Sequence, residues 1–372
     1  MTSQTTPPIG ATVAAPPQEA SQPSHVTKDG FGRTIDYLRI AITDRCNYRC
    51  VYCMPAEGVP FKTHERILTF EQIEHFVRIA AEYGIKHLRL TGGEPLARLG
   101  CADLAAMLMA IPGIEDIAIT TNGALLPREA KRLVEAGVSR VNISLDTLDP
   151  DVFHAVTRIG KLEDALAGID AALEAGFETV KINCVAVRAL HQDFFSLAAL
   201  SLDRPLHVRF IEYMPIGDDE TRAKGIPSEE NPHFKDVALW DHSDTIPSEE
   251  LHGIVSQAGV DHGVGPLLAA GSHRPDGYGP ADYWMFEGAK GTVGFISAMS
   301  NHFCSRCNRL RLTADGCLRP CLFSDLEYPV HDALVAGDDD AVRTAIETAL
   351  RTKPDAHHTN DGTERFMSQI GG

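Results

Sequence analysis

Apolar positions in the first half of the chain follow two alternating rhythms. Short, largely β-branched runs recur at LRIAIT (38–43), HLRLT (87–91), DIAIT (116–120), RVNISL (140–145), TVKINCVAV (179–187) and LHVRFIEY (206–213). Among them lie FEQIEHFVRIAAEYG (70–84), PREAKRLVEAG (127–137) and KLEDALAGIDAALEAG (161–176). Their apolar residues repeat at three and four, and each ends in glycine, as capped helices do. Strands alternating with helices predict parallel pairing through crossover connections.

Polar residues crowd just beyond the strand ends, at TDRC (43–46), TGGEP (91–95), TTNG (120–123), SLD (144–146) and EYMP (212–215). In a β/α barrel that edge builds the active site from several strands at once. Six countable strands, against eight for a closed barrel, predict an incomplete (β/α)6 TIM-like barrel open along one side. A doubly wound open sheet is the alternative, because periodicity does not separate the two. Regularity ends near residue 216. The connection 217–244 is acidic and loop-like, and the pentamer IPSEE at 226 and 246 is too short a duplicate to mark a repeat architecture. The stretch DALVAGDDDAVRTAIETAL (332–350) predicts a closing helix. The expected division is a leader at 1–28, the barrel at 29–245 and a C-terminal α+β extension at 246–372.

Composition narrows the function. Fifty-one acidic against 34 basic residues give a net charge of −17. This excludes a general nucleic-acid binder, whose affinity comes from cations against phosphates. An anionic substrate would need cations gathered locally. Residues 1–27 hold five prolines but no Lys, Arg or aromatic, so they predict a disordered leader and not a signal or transit peptide. No apolar run approaches the ~18 residues of a membrane span, and a cytoplasmic enzyme without a membrane partner is expected.

Nine cysteines, odd in number and clustered, point to metal or redox chemistry and not to a disulfide framework. Cys101 and Cys184 stand alone in apolar surroundings, as small buried hydrophobes do. The others form two groups. CNYRCVYC (46–53) spaces Cys46, Cys50 and Cys53 as CxxxCxxC. A structural zinc would need a fourth ligand such as His64, and zinc pairs usually read CxxC…CxxC. Three thiolates can instead hold three irons of a 4Fe–4S cube and leave the fourth iron open. With Tyr52 before the last cysteine and GGEP (92–95) at the next strand end, the stretch resembles the radical S-adenosylmethionine (SAM) signature.

The second group, FCSRCNRLRLTADGCLRPCLF (303–323), holds Cys304 and Cys307, then thirteen residues to Cys321. Arg309 and Arg311 follow at once, and guanidinium forks match phosphate oxygens. A zinc site with Cys317 as fourth ligand is the alternative. Together CNYRCVYCMP, RLTGGEPLAR, TTNG, NISLDTL, RFIEYMP, FCSRCNRLRLT and the terminal Gly-Gly resemble the GTP 3′,8-cyclase family of molybdenum-cofactor biosynthesis, from about residue 29 to the end.

The resemblance implies a 4Fe–4S cluster on Cys46, Cys50 and Cys53 that binds SAM, and a second on Cys304, Cys307 and Cys321 whose open iron takes the guanine. It implies SAM contacts at Tyr52, Gly93, Ser144 and Met214. It implies GTP contacts at Arg39, Arg89, Thr120, Lys181, Arg209, Arg309, Leu310 and Arg311, and catalytic roles for Arg309, Arg311, Gly371 and Gly372. The reaction would be a 5′-deoxyadenosyl radical removing the ribose 3′ hydrogen of GTP, after which the carbon radical attacks C8. An external one-electron reductant, a following enzyme of the molybdopterin pathway and a homodimer are implied as partners. From the residues alone, Ser144 is equally a strand-end cap, Met214 packing, Arg89 a partner for a core carboxylate, and the Gly-Gly end disorder. His87 stands where the family often has Lys.

Overall fold

The structure, a computed structural model, describes residues 28–217, 242–357 and 363–371. The leader up to residue 27, most of the acidic connection and Gly372 lie outside the described residues.

Among the described residues, twelve strands form one sheet: β1 Tyr37–Ala41, β2 His87–Thr91, β3 Asp116–Thr121, β4 Val138–Ser144, β5 Thr179–Ala186, β6 Leu206–Glu212, β7 Leu268–Ala269, β8 Asp282–Met285, β9 Thr292–Ile296, β10 Arg309–Leu312, β11 Cys317–Arg319 and β12 Tyr328–Pro329. From β1 to β6 every neighbour is parallel and the order follows the chain. A doubly wound sheet would reverse direction at a switch point, so the incomplete barrel is the architecture present. The C-terminal region extends both sides. β10 pairs parallel with β1 and β9 parallel with β6, with antiparallel β11–β12 and β8–β7 beyond them.

The helices are α1 Phe70–Glu82, α2 Cys101–Met109, α3 Leu126–Glu135, α4 Pro150–Thr157, α5 Leu162–Ala175 and α6 Phe194–Asp203, followed by helices at Ser248–Asp261, His331–Ala336, Asp339–Arg351 and Met367–Ile370. Thr69 and Gln72 form a reciprocal capping box at the start of α1. The single closing helix expected over 332–350 is two helices. Gly337 takes φ +69°, and the Asp338 carboxylate accepts from the Ala341 amide to start the second.

Period-two alternation decides where the site lies. Leu38, Ile40, Leu88 and Leu90 face the hydrophobic core under the helices. Arg39 and Arg89, between them, therefore turn to the opposite face, inside the barrel. Cys101 and Cys184 are buried in that core.

Candidate active site

At the C-terminal edge of the barrel, loops from β1, β2 and β3 are locked together. Gly93 donates its amide to the Thr43 carbonyl at 2.8 Å, and Glu94 donates to that of Arg45 at 2.8 Å. A Cβ on Gly93 would fall 2.3 Å from the Arg45 carbonyl oxygen, which is why glycine stands there. The Glu94 carboxylate is buried and accepts from the Thr121 hydroxyl at 2.7 Å and from the amides of Asn122 at 2.8 Å and Leu96 at 3.1 Å. Burial pushes its pKa up to about 7. Asn122 in turn donates to Asn47 at 2.7 Å, inside the CxxxCxxC loop.

Cys46, Cys50 and Cys53 open onto one cavity of about 270 Å³ within the barrel. Burial pushes Cys46 up to about 11 and Cys53 up to about 12, and Cys50 well above the usual thiol range. Neighbouring thiols add to this at two of the three, Cys53 and Cys46 raising Cys50 and Cys46 raising Cys53. Such a triad ionises together only against a bound cation. Tyr52 donates to the buried carboxylate of Asp146 at 2.8 Å, whose pKa burial lifts to about 6.

The opposite end of the same cavity is cationic. Register places Arg39 beside Arg89 on one side and Arg311 on the other, so three guanidiniums stand in one row on adjacent strands about 4.8 Å apart. Like charges directly opposite destabilise a sheet, so this row leaves a local positive charge that a bound anion would relieve. Burial lowers the Arg39 pKa well below the usual range, and Arg311, Arg89 and Arg309 lower it further. Arg209 on β6 faces in from the far wall, donating to Asn142 at 2.6 Å and also to Asn183, whereas Lys181 on β5 stands outside the cavity lining and donates to the Asp276 carbonyl at 2.7 Å.

Beside this floor lie Cys304, Cys307 and Cys321. Cys304 is raised by burial and then by Cys321 and Cys307. Cys307 is also pushed up by burial, but Lys353 and Arg309 outweigh that and hold it below the usual thiol range. Lys353 is buried and donates to the carbonyls of Arg309 at 2.8 Å and Pro320 at 2.7 Å. Cys317 sits elsewhere, among Asp315, Glu327 and Arg365. Among the described residues, no three Cys, His, Asp or Glu groups converge as a single metal ion would need. His64, considered as a zinc ligand, is exposed. A cube of iron and sulfide takes one thiolate at each of three corners, so both triads fit that group better than a lone zinc.

Of the residues singled out in the sequence, Cys46, Cys50, Cys53, Tyr52, Gly93, Ser144, Met214, Arg39, Arg89, Thr120, Arg209, Arg309 and Arg311 line this one cavity. The Thr120 hydroxyl has no hydrogen-bond partner among the described residues. Leu310 does not join them, because β10 turns its side chain into the hydrophobic core. Gly371 packs against Thr91 and Ala41 at the barrel rim and accepts from Arg311. Gly372 lies outside the described residues. Sequence reasoning missed Glu94's side chain, Asn122, Asp146, Lys353 and Tyr278, the last of which also lines the cavity. TTNG and SLD carried a positional signal for Asn122 and Asp146, whereas nothing near Lys353 or Tyr278 marks either.

A family model for the radical SAM superfamily matches residues 40–193, and one for molybdenum cofactor synthesis C matches residues 260–359. GTP 3′,8-cyclase of Pelotomaculum thermopropionicum is 48% identical over 352 residues, covering 93% of this chain and 100% of its own. That of Moorella thermoacetica is 47% identical over 349 residues, covering 93% and 100%. Among solved structures, anSMEcpe with bound AdoMet superposes with a TM-score of 0.52 at 15% identity over 85% of this chain and 81% of its own, a likeness of fold alone. The chain belongs to the GTP 3′,8-cyclase family of radical SAM proteins.

Proposed function

We propose that this chain converts GTP to (8S)-3′,8-cyclo-7,8-dihydroguanosine 5′-triphosphate, the opening reaction of molybdenum-cofactor biosynthesis. One observation carries the proposal: a single cavity has a thiolate triad at one end and the Arg89–Arg39–Arg311 row at the other, with a second triad beside that row. Cys46, Cys50 and Cys53 would hold one 4Fe–4S cluster, and Cys304, Cys307 and Cys321 the other. Bound at the first triad, cluster and SAM supply the 5′-deoxyadenosyl radical. Tyr52, Gly93, Ser144 and Met214 are the chain's contacts for SAM in this proposal. Arg39, Arg89, Lys181, Arg209, Arg309 and Arg311 supply the positive potential against the triphosphate that the overall charge of −17 lacks. Thr120 offers a hydroxyl, and Leu310 only its backbone.

A one-electron reductant from outside the chain is required, and the product passes to the next enzyme of the pathway. We place the protein in the cytoplasm as a homodimer. No helix among the described residues is long and apolar enough to cross a membrane. The test is anaerobic incubation of the reduced, reconstituted protein with SAM and GTP, or with ATP in its place. 5′-Deoxyadenosine and the cyclised nucleotide should form fastest with GTP; equal rates with ATP would sink the assignment.

A further inference from the structure

Part of the cavity floor does not come from a strand. Residues 276–280, Asp-Gly-Tyr-Gly-Pro, run beneath the barrel between the turn at Gly271–His273 and β8, and Tyr278, Gly279 and Pro280 line the cavity. This short segment touches the cations of the anion end with its backbone. Lys181 donates through Nζ to the Asp276 carbonyl at 2.7 Å, and Arg309 through Nη2 to the Tyr278 carbonyl at 3.3 Å. Gly277 takes φ +120°, and a Cβ there would lie 3.1 Å from Cζ of Arg140. The Tyr278 ring stacks on His87 with centroids 3.5 Å apart and planes 23° apart, and Arg140 sits 5.8 Å from its centroid.

A peptide carbonyl offers these donors a partial charge, whereas a phosphate oxygen offers a full one at the same hydrogen-bond distance. A polyphosphate therefore outcompetes the segment for both donors. Among the described residues what seats the segment is slight: one stack, the Arg140 guanidinium over the tyrosine ring, two bonds to carbonyls, and a tyrosine that is 45% exposed. We propose that residues 276–280 form a strap whose carbonyls occupy Lys181 and Arg309 until the polyphosphate end of the substrate displaces them. That the polyphosphate is GTP rests on the function proposed above; the strap itself needs only the anion.

A closed strap lowers the apparent affinity of every ligand that must displace it by the same factor, and leaves ligands that do not reach it untouched. Tyr278→Ala, which removes the stack, should therefore tighten binding of inorganic tripolyphosphate and of GTP to the reconstituted holoprotein by roughly three- to tenfold. Guanosine affinity should stay unchanged. Gly277→Ala, strained in the closed strap, should act in the same direction, and tripolyphosphate should speed amide exchange across 274–281 of the wild type. Unchanged or weaker tripolyphosphate binding in both variants, or slower exchange across 274–281, overturns the strap. If tripolyphosphate responds as expected but GTP is not turned over, the strap stands and the assigned reaction falls. If GTP is turned over while both variants bind it as the wild type does, the strap alone falls.

Discussion

Arg311 donates through Nη1 to the carbonyl of Gly371 at 2.8 Å, joining positions sixty residues apart at the rim of the barrel. Gly371 takes φ +82°, and a Cβ on it would fall 2.6 Å from Thr91 Oγ1 and 2.9 Å from the Ala41 Cβ. Alanine there is strained and crowded at once, so Gly371→Ala should expel the tail from the rim. The expected result is at least a roughly tenfold loss of GTP turnover with SAM affinity and iron content retained. Single-turnover product analysis checks this; full turnover in the variant would leave the tail with no part in the chemistry.

The choice between Cys317 and Cys321 is testable by iron content. Cys321 acts electrostatically on Cys304, while Cys317 accepts from Arg365 at 3.6 Å and is pushed up to about 11, first by burial and then by Asp315 and Glu327. Cys321→Ser should lose about half the iron after anaerobic reconstitution, and Cys317→Ser should lose none. The reverse pattern would reassign the ligand.

What was legible in the sequence follows what each residue's role leaves as a pattern. The strand run HLRLT is β2 residue for residue, because a strand buried on its outer face and polar within writes its period directly. Helices α2 and α6 left no such trace: CADLAAMLM and FFSLAALSLD are apolar almost all round, so no polar face sets a rhythm. The two extra parallel strands, β9 and β10, come from distant segments, and their pairing is fixed by tertiary packing and not by local composition. The thiolates, Arg309 and Arg311 declared themselves by residue type and spacing, whereas Arg39, Arg89 and Arg209 are implied only by the family resemblance. Lys353 and Tyr278 did not, since a lone Lys or Tyr in a loop gains meaning only from what the fold brings beside it.

Glu94 is the point where three loops meet, and its two oxygens divide the work. Oε1 accepts from Thr121 and Leu96, and Oε2 from the Asn122 amide. Glu94→Gln sets an amide donor against one of these donors, forfeiting about 0.5–1.5 kcal/mol of a hydrogen bond and loosening the turn that carries Gly93. SAM affinity should fall roughly tenfold or more. Its folded pKa, about 7 against 4.5, is raised, so the group's contribution to stability is full below about 4.5 and is lost as pH rises through 7. Thermal unfolding should therefore favour the wild type over Glu94→Gln increasingly from pH 7.5 down to pH 5. A difference that does not change with pH would show that Glu94 does not titrate there.

Lys181 gives the anion end a pH signature. Burial, then Arg209, Arg140 and Arg89, pull its pKa from 10.5 down to about 6. The unfolded chain thus binds more protons between pH 6 and 10.5, so this group makes folding more favourable as pH rises across that window. Anion binding runs the other way. A triphosphate favours the protonated amine, so above pH 6 the ligand must bring a proton with it. Affinity for GTP should be greatest below pH 6 and weaken by up to about tenfold per pH unit above it, until the pKa of the bound state is reached. Calorimetry at pH 8 in buffers of different ionisation enthalpy should then report uptake of nearly one proton per GTP. Lys181→Met should abolish that uptake and weaken binding, whereas Lys181→Arg, charged throughout, should abolish uptake while keeping much of the affinity. Absence of proton uptake in the wild type would mean that Lys181 is already charged before the anion arrives.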